Sequence, residues 1–177
     1  MSLRSALRAQ TADCHAGVDA LFGNFSLSDI RTYKTFLRAH ARVVPSVEAA
    51  LEQAGIEQLL PDWPERRRAH LLLADMAELQ EPPPPLLARP DLRGKAALWG
   101  AVYVLEGSKL GGAMLAKAVP DDLPSSYLSP HGPKGSMRAF MERLDTSGID
   151  DMAAAVAAAR GVFDLFLKAA QLELEAV

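Results

Sequence analysis

Glycine destabilises a helix interior by roughly 1 kcal/mol against alanine, yet the stretch from Arg93 to Lys117 carries five glycines and still has helical periodicity. Ala96, Ala97, Leu98, Val102, Val104, Leu105, Leu110, Met114 and Leu115 supply the helix-forming positions. Gly100, Gly107 and Gly111 fall seven and four residues apart, which sets them on one face with Tyr103, and Gly112 lies just beside it. That face has almost no side chains. Either another helix packs there backbone to backbone, or a flat ligand lies against exposed peptide groups.

The chain before this segment reads as helices. Residues 2–22 form a first one, with Ser2 as N-cap and Leu3, Leu7, Cys14, Val18 and Leu21 as its apolar stripe. Arg8, Thr11, His15 and Asp19 line an adjacent face. His15 and Asp19 are an i, i+4 pair, either a solvated surface contact or a metal-ligating imidazole oriented by its carboxylate. Gly23 and Asn24 end this helix, and Ser26 or Ser28 is expected to cap the next, which runs from Asp29 to about Ala54 with a kink at Pro45. His40 falls between apolar turns and reads as a core histidine. Asp62 and Glu65 have capping-box spacing and open a helix extending past Leu79, with Arg66, Arg67 and Arg68 expected on its solvated face.

Residues 81–85, one glutamate and four prolines, form a stiff extended connector. After the glycine-bearing helix, residues 120–133 read as a polar loop of the kind that serves as a mobile cover. Arg138, Phe140, Met141 and Leu144 mark a short helix. Asp150 or Asp151 caps a last one, with Met152, Val156, Val162, Phe163, Phe166, Leu167 and Leu172 turned inward. With no segment patterned as a strand, the expected fold is an all-α bundle forming a single domain over residues 1–177.

A net charge of −3 with dispersed cations speaks against nucleic-acid binding. No apolar run has the length of a bilayer span and no secretory leader is evident, so a cytoplasmic protein is expected. The lone cysteine, Cys14, excludes an intrachain disulfide and a cysteine zinc cluster.

Two segments taken together, residues 7–15 (LRAQTADCH) and 103–112 (YVLEGSKLGG), resemble the bacterial haem oxygenase family. The likeness is greatest to the small enzymes found beside bacterial phytochromes. The resemblance implies a haem oxygenase-like multi-helix bundle in which haem lies between the first helix and a glycine-rich, kinked distal helix. It makes His15 the iron ligand and Asp19 its hydrogen-bonding partner. Arg8 takes a propionate-binding position, about 10 Å along the helix from His15, roughly the reach from a porphyrin iron to its propionate edge. Tyr103 matches a propionate contact, and Gly107, Ser108, Gly111 and Gly112 match the distal surface where catalysis occurs. Arg138, or alternatively Lys134, would supply a further cation, and Phe163 or Phe166 would wall the haem. Ser108 stands where mammalian members carry a distal aspartate.

The implied reaction cleaves haem, at once cofactor and substrate, to biliverdin, carbon monoxide and ferrous iron. It consumes dioxygen and electrons from an external reductase or ferredoxin, because the sequence has no flavin or nicotinamide fingerprint. A haem-binding or haem-sensing protein of the same fold without turnover is the alternative. A di-iron oxidase would need paired Glu-x-x-His motifs, which the sequence lacks.

Overall fold

The computed structural model describes residues 1–176. Their order is α1 (Leu3–Gln10), α2 (Ala12–Phe22), α3 (Ile30–Ala41), α4 (Val44–Gln53), α5 (Ile56–Leu59), α6 (Trp63–Arg66), α7 (Ala69–Glu78), α8 (Gly94–Ala116), α9 (Ser136–Asp145) and α10 (Met152–Ala176). No strand occurs among the described residues. The two long helices, α8 and α10, form the central pair, and α10 also packs on α1, α2 and α3.

What brings α8 and α10 together is the absence of a side chain. A Cβ built on Gly100 would lie 2.0 Å from the carbonyl oxygen of Ala155, so the two backbones touch there. Ala155 and Ala159 are fully buried, keeping the α10 surface equally low. Two to three turns further along α8 the relation reverses. A Cβ at Gly107 or Gly111 would meet nothing within 4 Å. The glycine face is therefore used in two ways: Gly100 serves helix packing, whereas Gly107 and Gly111 front open space.

Three helices expected to be continuous are divided. Residues 2–22 break at Thr11, whose hydroxyl donates to the Leu7 carbonyl at 2.6 Å while its own backbone leaves helical values. Such back-bonding to the i−4 carbonyl bends helices. The expected helix from Asp29 breaks after Ala41, and Pro45 lies in the first turn of α4, where its missing N–H costs nothing. Asp29 itself caps α3, accepting from Arg31 N at 2.8 Å, so neither Ser26 nor Ser28 does.

The third division overturns the expected solvated arginine face. Arg67 is extended between α6 and α7, which turns Arg66 and Arg68 inward and leaves only Arg67 exposed. Asp62 caps no backbone group and accepts from Arg66 Nε instead. The cap of α7 comes from another helix: buried Glu48 of α4 accepts from Arg68 N and Ala69 N at 2.7 and 3.1 Å. Arg66 meets Glu106 at 2.5 Å and also donates to Ser136 O, joining α6, α8 and the start of α9.

The connection after α8 is not the free cover expected of it. Buried Asp75 accepts from Ser126 N and Tyr127 N, Tyr33 donates its hydroxyl proton to Pro124 O at 2.7 Å, and Tyr127 and Leu128 are buried. The proline connector and the residues after it are held as well, through Arg38 Nη1 to Pro82 O, Leu87 N to Arg42 O and Ser46 Oγ to Leu87 O. Asp151 caps α10 by accepting from Ala154 N. Glu173 near its far end accepts from Arg38 and Arg42, fastening α10 to α3.

The two classes of α8 glycine should separate in a denaturation experiment. Gly100→Ala forces a methyl into the Ala155 backbone and should destabilise by about 1–3 kcal/mol or more. Gly107→Ala meets no atom and should stabilise the ligand-free protein by up to about 1 kcal/mol. Equal effects of the two substitutions in chemical denaturation would contradict the close helix contact.

Candidate functional site

Where α8 parts from its neighbours a cavity of about 510 Å³ opens. Its proximal wall is α2, with His15, Val18, Asp19 and Phe22, and its distal wall is α8 from Tyr103 to Leu115. Phe36 and His40 of α3, Arg68 before α7, Tyr127 and Leu128 between α8 and α9, Met141 of α9, and Phe163 and Phe166 of α10 complete it. Leu110 and Met114 remain 60% and 67% exposed on its rim. Large apolar side chains left so open beside a concave apolar cavity are the surface a flat hydrophobic ligand would cover.

His15 stands at the mouth, its side chain 66% exposed. Nε2 lies 3.5 Å from Asp19 Oδ2, adjacent but too far for a well-formed hydrogen bond. The imidazole is backed by Phe163, with ring centroids 5.9 Å apart and planes 27° from parallel. Across the cavity, Gly107 and Gly111 present bare backbone, and Gly112 lies 3.5 Å, measured from its would-be Cβ, from Leu128.

The distal wall also carries a polar group of side chains. Ser108 Oγ donates to Leu105 O at 2.7 Å and accepts from Arg68 Nη2 at 2.5 Å. Arg68 also donates to Leu105 O, and its Cζ sits 4.8 Å from the centre of the Tyr127 ring. The Tyr127 hydroxyl and His40 Nδ1 are 2.6 Å apart. Burial pushes the His40 imidazolium down to a pKa of about 3, and the Arg68 charge acts in the same direction. His40 is thus neutral near pH 7. Burial likewise raises the Tyr127 phenol to about 12, so this pair shares a hydrogen bond between uncharged groups. Tyr103 is half-buried; burial raises its phenol pKa while the charges of Arg8 and Arg4 oppose the rise.

Of the residues singled out in the sequence, the fold gathers His15, Asp19, Tyr103, Gly107, Ser108, Gly111, Gly112 and Phe163 around one cavity, with Phe166 beside them. Arg8 and Arg138 are outside its lining. Arg8 is exposed on α1, with its charge felt at Tyr103, and Arg138 is turned along α9 to Glu142 at 3.3 Å. Lys134 is also exposed and absent from the wall. Met141 is the α9 residue that reaches it. Sequence reasoning passed over Arg68, His40, Tyr127 and Phe36. His40 had the apolar spacing that put it inside, but nothing local marked its access to a cavity. Arg68 had no signal, because its inward turn comes from Glu48 twenty residues earlier.

Comparison with known proteins places this geometry in context. No family model matches the sequence. Over 94 residues it is 35% identical to a protein described as heme oxygenase from Xanthomonas campestris pv. campestris (strain 8004), a match covering 50% of this chain and 53% of that one. The chain thus spans about half the length of the curated relative it matches. Among solved structures, the NO- and CO-bound heme oxygenase from Neisseria meningitidis superposes with a TM-score of 0.87 at 23% identity, covering 99% of this chain and 93% of that one. Heme oxygenase from Leptospira interrogans gives 0.71 at 21% identity over 97% and 100%. The all-α architecture is therefore the haem oxygenase fold.

The neutral state of His40 has a measurable consequence. Its folded pKa lies below the unfolded value of 6.5, so the unfolded chain takes up the extra proton between pH 6.5 and about 3. His40 therefore costs stability as pH falls through that window, at up to about 1.4 kcal/mol per pH unit. His40→Gln, which keeps a hydrogen-bonding group for Tyr127 but cannot titrate, should flatten this part of the stability curve. An unchanged slope would show that His40 protonates in the folded protein.

Proposed function

We propose that this protein belongs to the haem oxygenase family and cleaves haem to biliverdin, carbon monoxide and ferrous iron. The observation that carries the reading is the slot itself. An accessible imidazole faces two glycines whose missing side chains leave open space, in a fold shared with haem oxygenases. The residues fit such a ligand: aromatic and aliphatic side chains would cover its faces, and the accessible His15 would hold its metal. Among the described residues no three His, Cys, Asp or Glu side chains converge as a metal site, so the iron would have to arrive within a ligand that supplies its other donors.

Haem supplies an iron that binds dioxygen when reduced and a ring edge that is oxidised. The chain supplies orientation and protons. His15 would hold the iron, and Asp19, 3.5 Å from its imidazole, would accept the remaining N–H after a small side-chain adjustment, which would raise ligand basicity. Phe163 packs against the imidazole and limits its rotation. On the other face, Gly107 and Gly111 admit the ring and a diatomic molecule to within contact of the backbone, where a side chain at either position would intrude.

The hydrogen bonds of Ser108 define its part. Its own proton is committed to Leu105 O, and one lone pair is taken by Arg68. One lone pair remains, with which Ser108 accepts from a water and so directs that water's second proton into the cavity. Arg68 fixes Ser108 by donating a hydrogen bond to its hydroxyl oxygen. Tyr103 together with Arg8 forms the polar edge for the propionates. Arg138 would join that function only after leaving Glu142. The electrons come from a separate reductase or ferredoxin.

The ligand-free protein mixed with one equivalent of haemin should give a ferric, imidazole-ligated Soret spectrum, and His15→Ala should lose it and recover it with added imidazole. With dioxygen and ascorbate or a reductase, the Soret band should give way to biliverdin. Persistence of that band under these conditions would favour a haem-binding protein without turnover. Gly111→Leu should keep the far-UV helical signal while weakening haem binding at least tenfold, about 1.4 kcal/mol. Undiminished affinity would remove Gly111 from the ligand face.

A further inference from the structure

The exposed side chain of Arg160 on α10 makes three hydrogen bonds, all to the segment that presents His15. Nη1 donates to Gln10 O at 2.8 Å and to Asp13 Oδ1 at 2.8 Å, and Nη2 donates to Asp13 Oδ2 at 2.9 Å. Gln10 is the last residue of α1 and Asp13 stands in the first turn of α2. The guanidinium therefore bridges the break at Thr11. It occupies a carbonyl at the end of one helix and grips the opening turn of the next with the planar fork that suits a carboxylate.

This contact belongs to a series. Arg160, Phe163 and Leu167 occupy successive turns of α10, and they meet Asp13, the ring of His15 and Gly17 respectively. The Leu167 methyl lies 3.8 Å from the position of a Gly17 Cβ. Apolar contact at the second and third points leaves α2 free to slide or roll about its axis. The bidentate pair at the first is directional, and it lies two residues from His15. A break in a helix is where such a roll would begin: at Thr11, whose backbone leaves helical values, the bonds running through the break are Thr11 N to Leu7 O and His15 N to Thr11 O.

We infer that Arg160 is a positioning residue for His15. Through Asp13 and Gln10 it fixes the roll of α2, and so the angle at which the imidazole meets its ligand. It touches neither the cavity nor the reacting atoms. The inference rests on haem being ligated by His15, and the test is arranged to separate the two.

Arg160→Met retains the length and apolar stem of the side chain and removes the fork; Asp13→Asn removes its main partner from the other side. In the ferrous, haem-loaded protein each should shift the iron–imidazole stretching band in resonance Raman to lower wavenumber and weaken haem affinity by up to about tenfold, the lower end of effects from altered support of a metal ligand. The double variant should do little more than either single one, because both remove the same contact. The decisive arm uses His15→Ala supplied with free imidazole, in which the ligand is no longer attached to α2. Adding Arg160→Met to that background should leave the stretching band unmoved.

A shift there equal to that in the His15 protein would overturn the inference, since Arg160 would then act through the pocket as a whole. So would an unshifted band in both single variants. If the unaltered protein shows no imidazole-ligated haem, it is the haem reading that fails, and the inference falls with it. Far-UV circular dichroism and the thermal midpoint of the ligand-free variants identify a folding defect. Should Arg160→Met unfold, Asp13→Asn carries the same comparison, because α10 is left intact.

Discussion

The contact between Gly100 and the Ala155 carbonyl is the constraint from which the site follows. Two helices that meet backbone to backbone at one point and carry larger side chains elsewhere diverge away from it. Along α8 the divergence becomes open space by Gly107. Helices with ordinary side chains at the crossing stand 8–10 Å apart and fill the space between them more evenly. The cavity therefore does not need a special lining to hold it open. It results from the way α8 and α10 cross, and the glycines beyond the crossing keep α8 from filling it.

A second consequence is that polar groups stabilise the positions of the short helices around this pair. Arg66, Arg68, Glu48, Asp75, Glu106 and Glu173 are all buried, and each has partners on another element. Breaking one side of such a buried pair typically costs 3–5 kcal/mol, whereas the intact pair contributes little net stability over an apolar replacement. These contacts act mainly as registers. Glu48 fixes where α7 begins, Asp75 fixes Tyr127, and Glu106 with Arg66 and Lys109 fixes α8 against α6. They place His40, Tyr127 and Arg68 around the distal wall to within hydrogen-bonding distance.

What could be read from the sequence is what local pattern determines. The span of α8, the extended proline connector and the α10 cap at Asp151 depend on neighbours a few residues away, and the sequence shows those neighbours. His15 and Asp19 share a face because of helical spacing alone. The break at Arg67, the inward turn of Arg66 and Arg68, and the Tyr127–His40 contact depend on residues 20 to 87 positions distant. No window of sequence contains both partners. The arginine run illustrates the difference: as a helix it would have been a solvated face, and an extended Arg67 reverses two of its three members.

The inward Arg68 also gives the cavity its electrostatic character. No carboxylate among the described residues lies within salt-bridge distance of its guanidinium; its partners are a carbonyl, a hydroxyl and the face of Tyr127. Glu48, which meets the same residue, spends both oxygens on backbone N–H groups, and burial raises its pKa. A buried cation solvated by neutral dipoles leaves a positive potential on the distal wall, and it is one cause of the low pKa of His40. Negative charge developing on a ligand opposite His15 would be stabilised by that potential without displacing any ion already bound to Arg68. The Ser108 proton is committed to Leu105 O, so in the proposed reaction Ser108 would act as an acceptor and a proton reaching such a charge would travel on water. Under the proposed reaction the wall would orient that water and stabilise the charge it reaches.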